Sequence, residues 1–167
     1  MGTTVDHSKI VHLVNTDPVI RTLLEAPIPM RLGYVGLDGH PRTVPVAYLW
    51  NGQAFVFATP TSAYKVRAIT AHPQVSFTVD TTDFTPLIMM VRGTASVEIR
   101  QGVPQEHIDA SRRSVGEAGM EEWERVKRAN TTEMALISID PTHVTVCDFA
   151  TRFPPPAAVN SRTHGAG

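Results

Sequence analysis

Apolar and polar residues alternate with a period of two along most of this chain, and with a helical period in only a few places, so the pattern predicts a mainly β protein with covering helices. The alternation is cleanest in Val75-Ser76-Phe77-Thr78-Val79, a half-buried strand, and longest from Leu87 to Ile99, where Gly93 and Ala95 mark a bend or the close approach of another backbone. Met30–Leu37 reads as a strand that Asp38-Gly39-His40 turns back into the run from Arg42 to Trp50. That run is apolar on both faces, which fits a barrel wall packed against something further, and Pro45 requires an edge or a break in the ladder. Asn51-Gly52 then predicts a two-residue hairpin into a strand ending at Ala58-Thr59-Pro60. Met134–Ile139 and His143–Phe149 read as two last strands around Asp140-Pro141-Thr142, giving about seven strands in all.

Helical spacing is confined to three regions. Thr16-Asp17-Pro18 reads in turn as cap, acidic first turn and helix-compatible proline ahead of Val19, Ile20, Leu23 and Leu24, and Pro27 closes that helix. A short helix opens at Thr61 or Ser62, with Ser62 as its N-cap, buries Val66 and Ile69, and stops at His72-Pro73. Between Gln101 and Asn130, Pro104 opens one helix with Ile108 and Ala110 inward, and Gly116 or Gly119 separates it from Glu121–Asn130, whose stripe is Met120, Trp123 and Val126. Residues 1–15 carry no periodicity and read as a flexible N-terminal tail; 16–150 form one domain; 151–167, with Pro154-Pro155-Pro156, form a Pro-rich C-terminal tail. Phe149 and Phe153 flank Thr151-Arg152, an aromatic–basic pair placed to fold over a groove.

The length of 167 residues suits one domain with a real core. A net charge of −1 without any Lys/Arg run argues against nucleic acid as a partner. No apolar stretch approaches the roughly 20 residues of a membrane span. The single cysteine, Cys147, sits in an apolar strand and agrees with a reducing compartment, and the start of the chain lacks a basic-then-apolar leader, so a cytoplasmic location is expected.

Candidate chemistry is sparse. There is no GxGxxG, no GxxxxGK[ST] and no GxSxG, and the seven histidines include no pair at three- or four-residue spacing and no partner Cys cluster, so no metal site is expected. No catalytic acid or base is assigned; Tyr64 is the nearest candidate by position. Any hard chemistry would then fall to a cofactor. The one local inconsistency is Lys65 and Arg67 near the start of the short helix, where the dipole disfavours cations. A phosphate on the free N–H groups would reverse that sign; two solvated basic residues are the plain alternative.

The run DGHPRTVPVAYLWNGQAFVFATPTSAYKVRAITAHPQVSFTVDT, followed by VRGTASVE, resembles the pyridoxamine 5′-phosphate oxidase-like superfamily of flavin and deazaflavin oxidoreductases over roughly residues 28–150. The resemblance implies a split β-barrel and a homodimer with cofactor grooves between the subunits. It implies FMN or coenzyme F420 as cofactor, and hydride transfer with a small-molecule substrate. It places Arg42, Thr43, Val44 and Pro45 along the ring, Ala58, Thr59 and Pro60 in the groove wall, and Ser62, Lys65 and Arg67 at the phosphate. The Arg- and Trp-containing C-terminal segment of the vitamin B6 oxidase is missing, so that substrate is not expected. A non-catalytic flavin or haem carrier, with His72 or His143 as axial ligand, and a small-ligand sensor are the alternatives on the same fold.

Overall fold

The computed structural model describes residues 7–152. Five helices and seven strands follow one another as α1 (His7–Thr16), α2 (Pro18–Glu25), β1 (Met30–Val35), β2 (Pro41–Val46), β3 (Leu49–Trp50), β4 (Phe55–Thr59), α3 (Tyr64–Ala71), β5 (Gln74–Asp80), β6 (Leu87–Gln101), α4 (Gln105–Val115), α5 (Glu117–Ala129) and β7 (Glu133–Asp148). The strands form one antiparallel sheet in the order β2-β1-β5-β6-β7-β4-β3. Its two edge strands are consecutive in sequence, with only Ala47 and Tyr48 between them. Three Cα steps span at most about 11 Å, so the sheet must roll until its edges nearly meet. They do not pair, and the result is a split barrel.

The barrel interior is aromatic and aliphatic. Tyr48, Phe55, Met30, Leu32, Met89 and Ile137 are fully buried, and the Phe55 and Phe77 rings meet edge-on at 4.8 Å between centroids. Arg113, on α4, lies over the Tyr48 ring at 4.7 Å and donates to the carbonyls of Tyr48, Leu24 and Ala26. One guanidinium thereby ties α4 to the end of α2 and to the link between the two sheet edges.

Several expectations from sequence need correcting. The N-terminal segment is helical from His7, because Ile10, Val11 and Val14 are buried there; residues 1–6 lie outside the described range. The run Arg42–Trp50 is two strands on opposite edges, since one flat strand could not serve both sides of a rolled sheet. Pro45, on edge strand β2, costs no ladder bond there. The Asn51-Gly52 hairpin is a four-residue loop from Asn51 to Ala54. The Asn51 side-chain oxygen accepts the Gln53 and Ala54 N–H groups, and so stretches the tight turn. Helix α5 starts at Glu117, and its Val126 is 44% exposed, so only Met120 and Trp123 of the expected stripe face inward.

The two last strands are one. β7 runs through Asp140-Pro141-Thr142 because the ladder slips by a residue there: Arg92 opposes His143, and Gly93 opposes Pro141. Gly93 permits the approach; a Cβ on it would stand 2.6 Å from the Asp140 carbonyl oxygen. Thr142, the extra residue, donates its hydroxyl to the Arg92 carbonyl at 3.2 Å. Beyond β7, Arg152 pairs with Asp17, the N-cap of α2, at 2.8 Å. The Pro-rich tail and Phe153 fall outside the described residues, and with them the idea of a segment folded over a groove.

Candidate functional site

The helices cover the outer face of the sheet unequally. α4 and α5 bury Val103, Ile108, Met120 and Met134 against the β4 side, leaving the outer face of β2, β1, β5, β6 and the second half of β7 open. Across that open face the register aligns one row of residues: Thr43 opposes Gly33, Gly33 opposes Ser76, Ser76 opposes Arg92, and Arg92 opposes His143. A parallel row holds Pro45, Arg31, Thr78, Met90 and Thr145. The first row floors a groove of about 1260 Å³ whose rim includes His7, Gln74, Thr94 and Asp140. The groove shares Gly33, Ser76, Arg92 and His143 with an adjoining hollow of about 530 Å³ that Arg31, Thr78, Met90 and Thr145 of the second row line. The missing side chain at Gly33 makes the dip between Thr43 and Ser76; a Cβ there would come 3.1 Å from the Ser76 hydroxyl.

At the edge of the groove Arg42 turns to the other side of β2. Its guanidinium makes a two-pronged pair with Asp38 at 2.7 and 2.8 Å and passes over Gly36, where a Cβ would strike it. The pair holds the Asp38 carboxyl well below the usual carboxylate range. The same guanidinium lies 4.8 Å from the Tyr64 ring centre, with Arg67 at 6.0 Å. The Tyr64 hydroxyl accepts the Leu37 N–H at 2.9 Å, so this first residue of α3 locks the β1–β2 turn in place.

Helix α3 begins at Tyr64, and its N-cap is Ala63, which has no side chain to bond the first-turn N–H groups. Ser62 therefore does not cap it: it stands one residue too early and is exposed. Lys65 is half-buried in that first turn and has no carboxylate partner among the described residues, its Nζ 3.4 Å from the hydroxyl of buried Thr59. Thr61 donates to Glu133 at 3.0 Å across the mouth of β7.

The ten residues singled out from sequence thus fall in two neighbouring places. Arg42 and Thr43 line the large groove, Pro45 opposes Arg31 on the edge strand beside it, and Val44 packs against the core. Thr59, Lys65 and Arg67 gather about the start of α3, flanked by Ala58, Pro60 and Ser62, and Tyr64 joins them to Arg42. The row Gly33, Ser76, Arg92 and His143 was not assembled as a site. Each of its members sits on a polar face legible in the alternation, but only strand register shows that they share one line. His72 ends α3 and is exposed, away from the groove, whereas His143 is in it. Among the described residues no group of His, Cys, Asp and Glu is placed to hold a metal, and no helix is long and apolar enough to cross a membrane.

Residues 16–147 match the family model described as pyridoxamine 5′-phosphate oxidase. The chain belongs to this family. Solved structures agree at the level of the fold. An F420 reductase is 23% identical, covering 75% of this chain and 94% of its own, with a TM-score of 0.57. A conserved hypothetical protein from Mycobacterium tuberculosis is 15% identical over 86% of this chain and 85% of its own, TM-score 0.57. HutZ, the haem storage protein from Vibrio cholerae, is 15% identical over 78% of this chain and 93% of its own, TM-score 0.57. Comparison with curated proteins gives no significant match. Structures of this fold thus differ in function, an F420 reductase and a haem storage protein among them, and the fold by itself does not choose between such roles.

Proposed function

We propose that this protein is an FMN- or F420-dependent oxidoreductase that anchors the cofactor phosphate at the start of α3. The carrying observation is the uncapped first turn after Ala63 together with half-buried Lys65, a cation with no carboxylate partner among the described residues. Free N–H groups, the dipole and an ammonium then converge where a phosphate would satisfy all three. Arg42 does not join that clamp, because Asp38 already holds it; its role is to fix the wall through Tyr64. When bound, the flavin or deazaflavin ring supplies hydride chemistry. The chain's residues bind and orient: Lys65 holds charge, Thr43 and Pro45 give the ring a flat edge strand, and the groove excludes water from one side. The open sheet face, with Met90 40% exposed beside half-buried Ile88, supports a homodimer closing over that groove through about 2,000 Å² or more.

The test is the absorbance spectrum of protein purified from a host that makes F420, followed by separate FMN and F420 titrations. Lys65→Ala is expected to weaken the preferred cofactor about ten- to hundredfold, the loss of one charge-assisted bond of ~1.5–3 kcal/mol. Equal affinities in both proteins would remove Lys65 from the site. A monomer in sedimentation at micromolar concentration would end the dimer reading. A haem carrier is the second reading, favoured by His143 on the groove floor; a Soret band that His143→Ala abolishes would establish it in place of the first.

A further inference from the structure

Arg92 stands apart from every other arginine among the described residues. Arg21, Arg31, Arg42, Arg100, Arg112, Arg125, Arg128 and Arg152 have carboxylate partners, Arg113 is held by three carbonyls, and Arg67 faces the Tyr64 ring. Among the described residues the Arg92 guanidinium has no partner, and it stands exposed on the regular strand β6 and not on a loop. It rises from the middle of the aligned row on the groove floor, with Ser76 on one side, His143 on the other and the Gly33 dip beyond Ser76. Neighbouring strands lie ~4.8 Å apart, so Ser76 and His143 flank it within reach of one small anionic group.

The surrounding charges leave that guanidinium uncompensated. Arg31 in the next row is paired with Asp80 at 2.9 Å, and Arg42 with Asp38. The carboxylate on the groove's lining, Asp140, opposes Thr94 at the rim beyond the slip in the ladder. Two residues along β6, on the same face as Arg92, Met90 offers an exposed apolar surface. We infer that Arg92, flanked by Ser76 and His143, is the anion subsite of the groove, taking the carboxylate or phosphate of a small organic molecule whose flat body lies over Gly33 and Met90. A planar guanidinium receives either group through paired N–H bonds. That the molecule is the substrate rests on the cofactor reading above; that the groove binds such an anion does not.

The experiment is an NMR titration of the full chain with benzoate and, separately, inorganic phosphate, in wild type, Arg92→Gln and Lys65→Ala. Benzoate is expected to move the His143 ring and the Ser76 and Gly33 amide signals in wild type and in Lys65→Ala alike, and to bind Arg92→Gln at least tenfold more weakly. Phosphate is expected to report both places, losing the Tyr64–Val66 shifts in Lys65→Ala and the His143 shifts in Arg92→Gln. Unchanged benzoate affinity in Arg92→Gln, or shifts confined to the start of α3, would overturn the subsite. So would an Arg92→Gln variant that turns a dimer into a monomer in sedimentation, which would make Arg92 a subunit contact. Failure of FMN and F420 to bind wild type, with the benzoate result intact, would remove the cofactor reading and leave the subsite standing.

Discussion

Gly93→Ala tests whether the slip between β6 and β7 is what allows the groove floor to form. The added methyl would stand 2.6 Å from the Asp140 carbonyl oxygen and 2.6 Å from the Ile139 Cγ2, both on the facing strand. The first is backbone and cannot rotate away, so β7 must move outward. Forced overpacking of this kind costs ~1–3 kcal/mol, and the stiffer unfolded chain returns ~0.4–1 kcal/mol. A net loss of roughly 1–2 kcal/mol follows, or a fall in Tm of about 2–8 °C for a chain of this size. Urea unfolding should show a lower midpoint with an unchanged slope. Arg92 and His143 border the slip, so their NMR signals should move while those of α5, on the far side, stay in place. A midpoint equal to or above wild type, with the slope unchanged, would refute the reasoning, because it would mean that β7 yields without cost.

Two more substitutions probe other points of the fold. Tyr48→Phe should raise stability by up to ~1–3 kcal/mol, because the buried Tyr48 hydroxyl has no well-formed hydrogen bond among the described residues, with only the Arg113 guanidinium close by, while its ring contacts with Phe55 and Phe77, at 6.1 and 6.4 Å, survive the change; a less stable variant in urea unfolding would mean that Arg113 satisfies the hydroxyl. His107 is pushed down to about 4 by burial and then by Lys127, against 6.5 when free. The unfolded chain therefore takes up the proton first, so stability should fall as pH drops from 6.5 towards 4, and His107→Gln should flatten that slope in urea unfolding across the window.

The parts of this fold that were legible from sequence are those decided by neighbours in the chain. Thr16-Asp17-Pro18 marked the start of α2, although the cap is Asp17, which accepts the Val19 and Ile20 N–H groups, and not Thr16. Alternation placed β5 and β6, and Gly93 announced a close backbone approach that Asp140 supplies. What was not legible depended on distant strands. Nothing within Arg42–Trp50 says that its halves lie on opposite edges of a sheet; that follows from the roll imposed by β6 and β7, of 15 and 16 residues. Likewise Pro141 reads as a break until Gly93, far away in sequence, lets the ladder slip past it. The cation-bearing start of α3 was visible as a conflict with the helix dipole, but its cap was misplaced, because Thr61 spends its hydroxyl on Glu133 and the helix opens only at Tyr64.

The composition of the open face also separates a binding surface from an ordinary wet one. A glycine inside a strand costs roughly 0.5–1 kcal/mol relative to alanine, and β1 keeps Gly33 where nothing in the hydrophobic core requires it. Its neighbour across the ladder is the constraint: an added Cβ would meet the Ser76 hydroxyl at 3.1 Å and the Ser76 carbonyl at 3.3 Å. Stability alone would be served by alanine at 33 with a smaller residue at 76, and a solvated face would be served by long charged side chains along the row. Instead the row holds two hydroxyls, a gap, one uncompensated guanidinium and one imidazole, while the adjoining cations Arg31 and Arg42 are each neutralised by an acid. Local arrangements that fold stability does not explain are where function is to be sought. On this face they converge on one open groove and on Arg92, whose charge no described residue compensates.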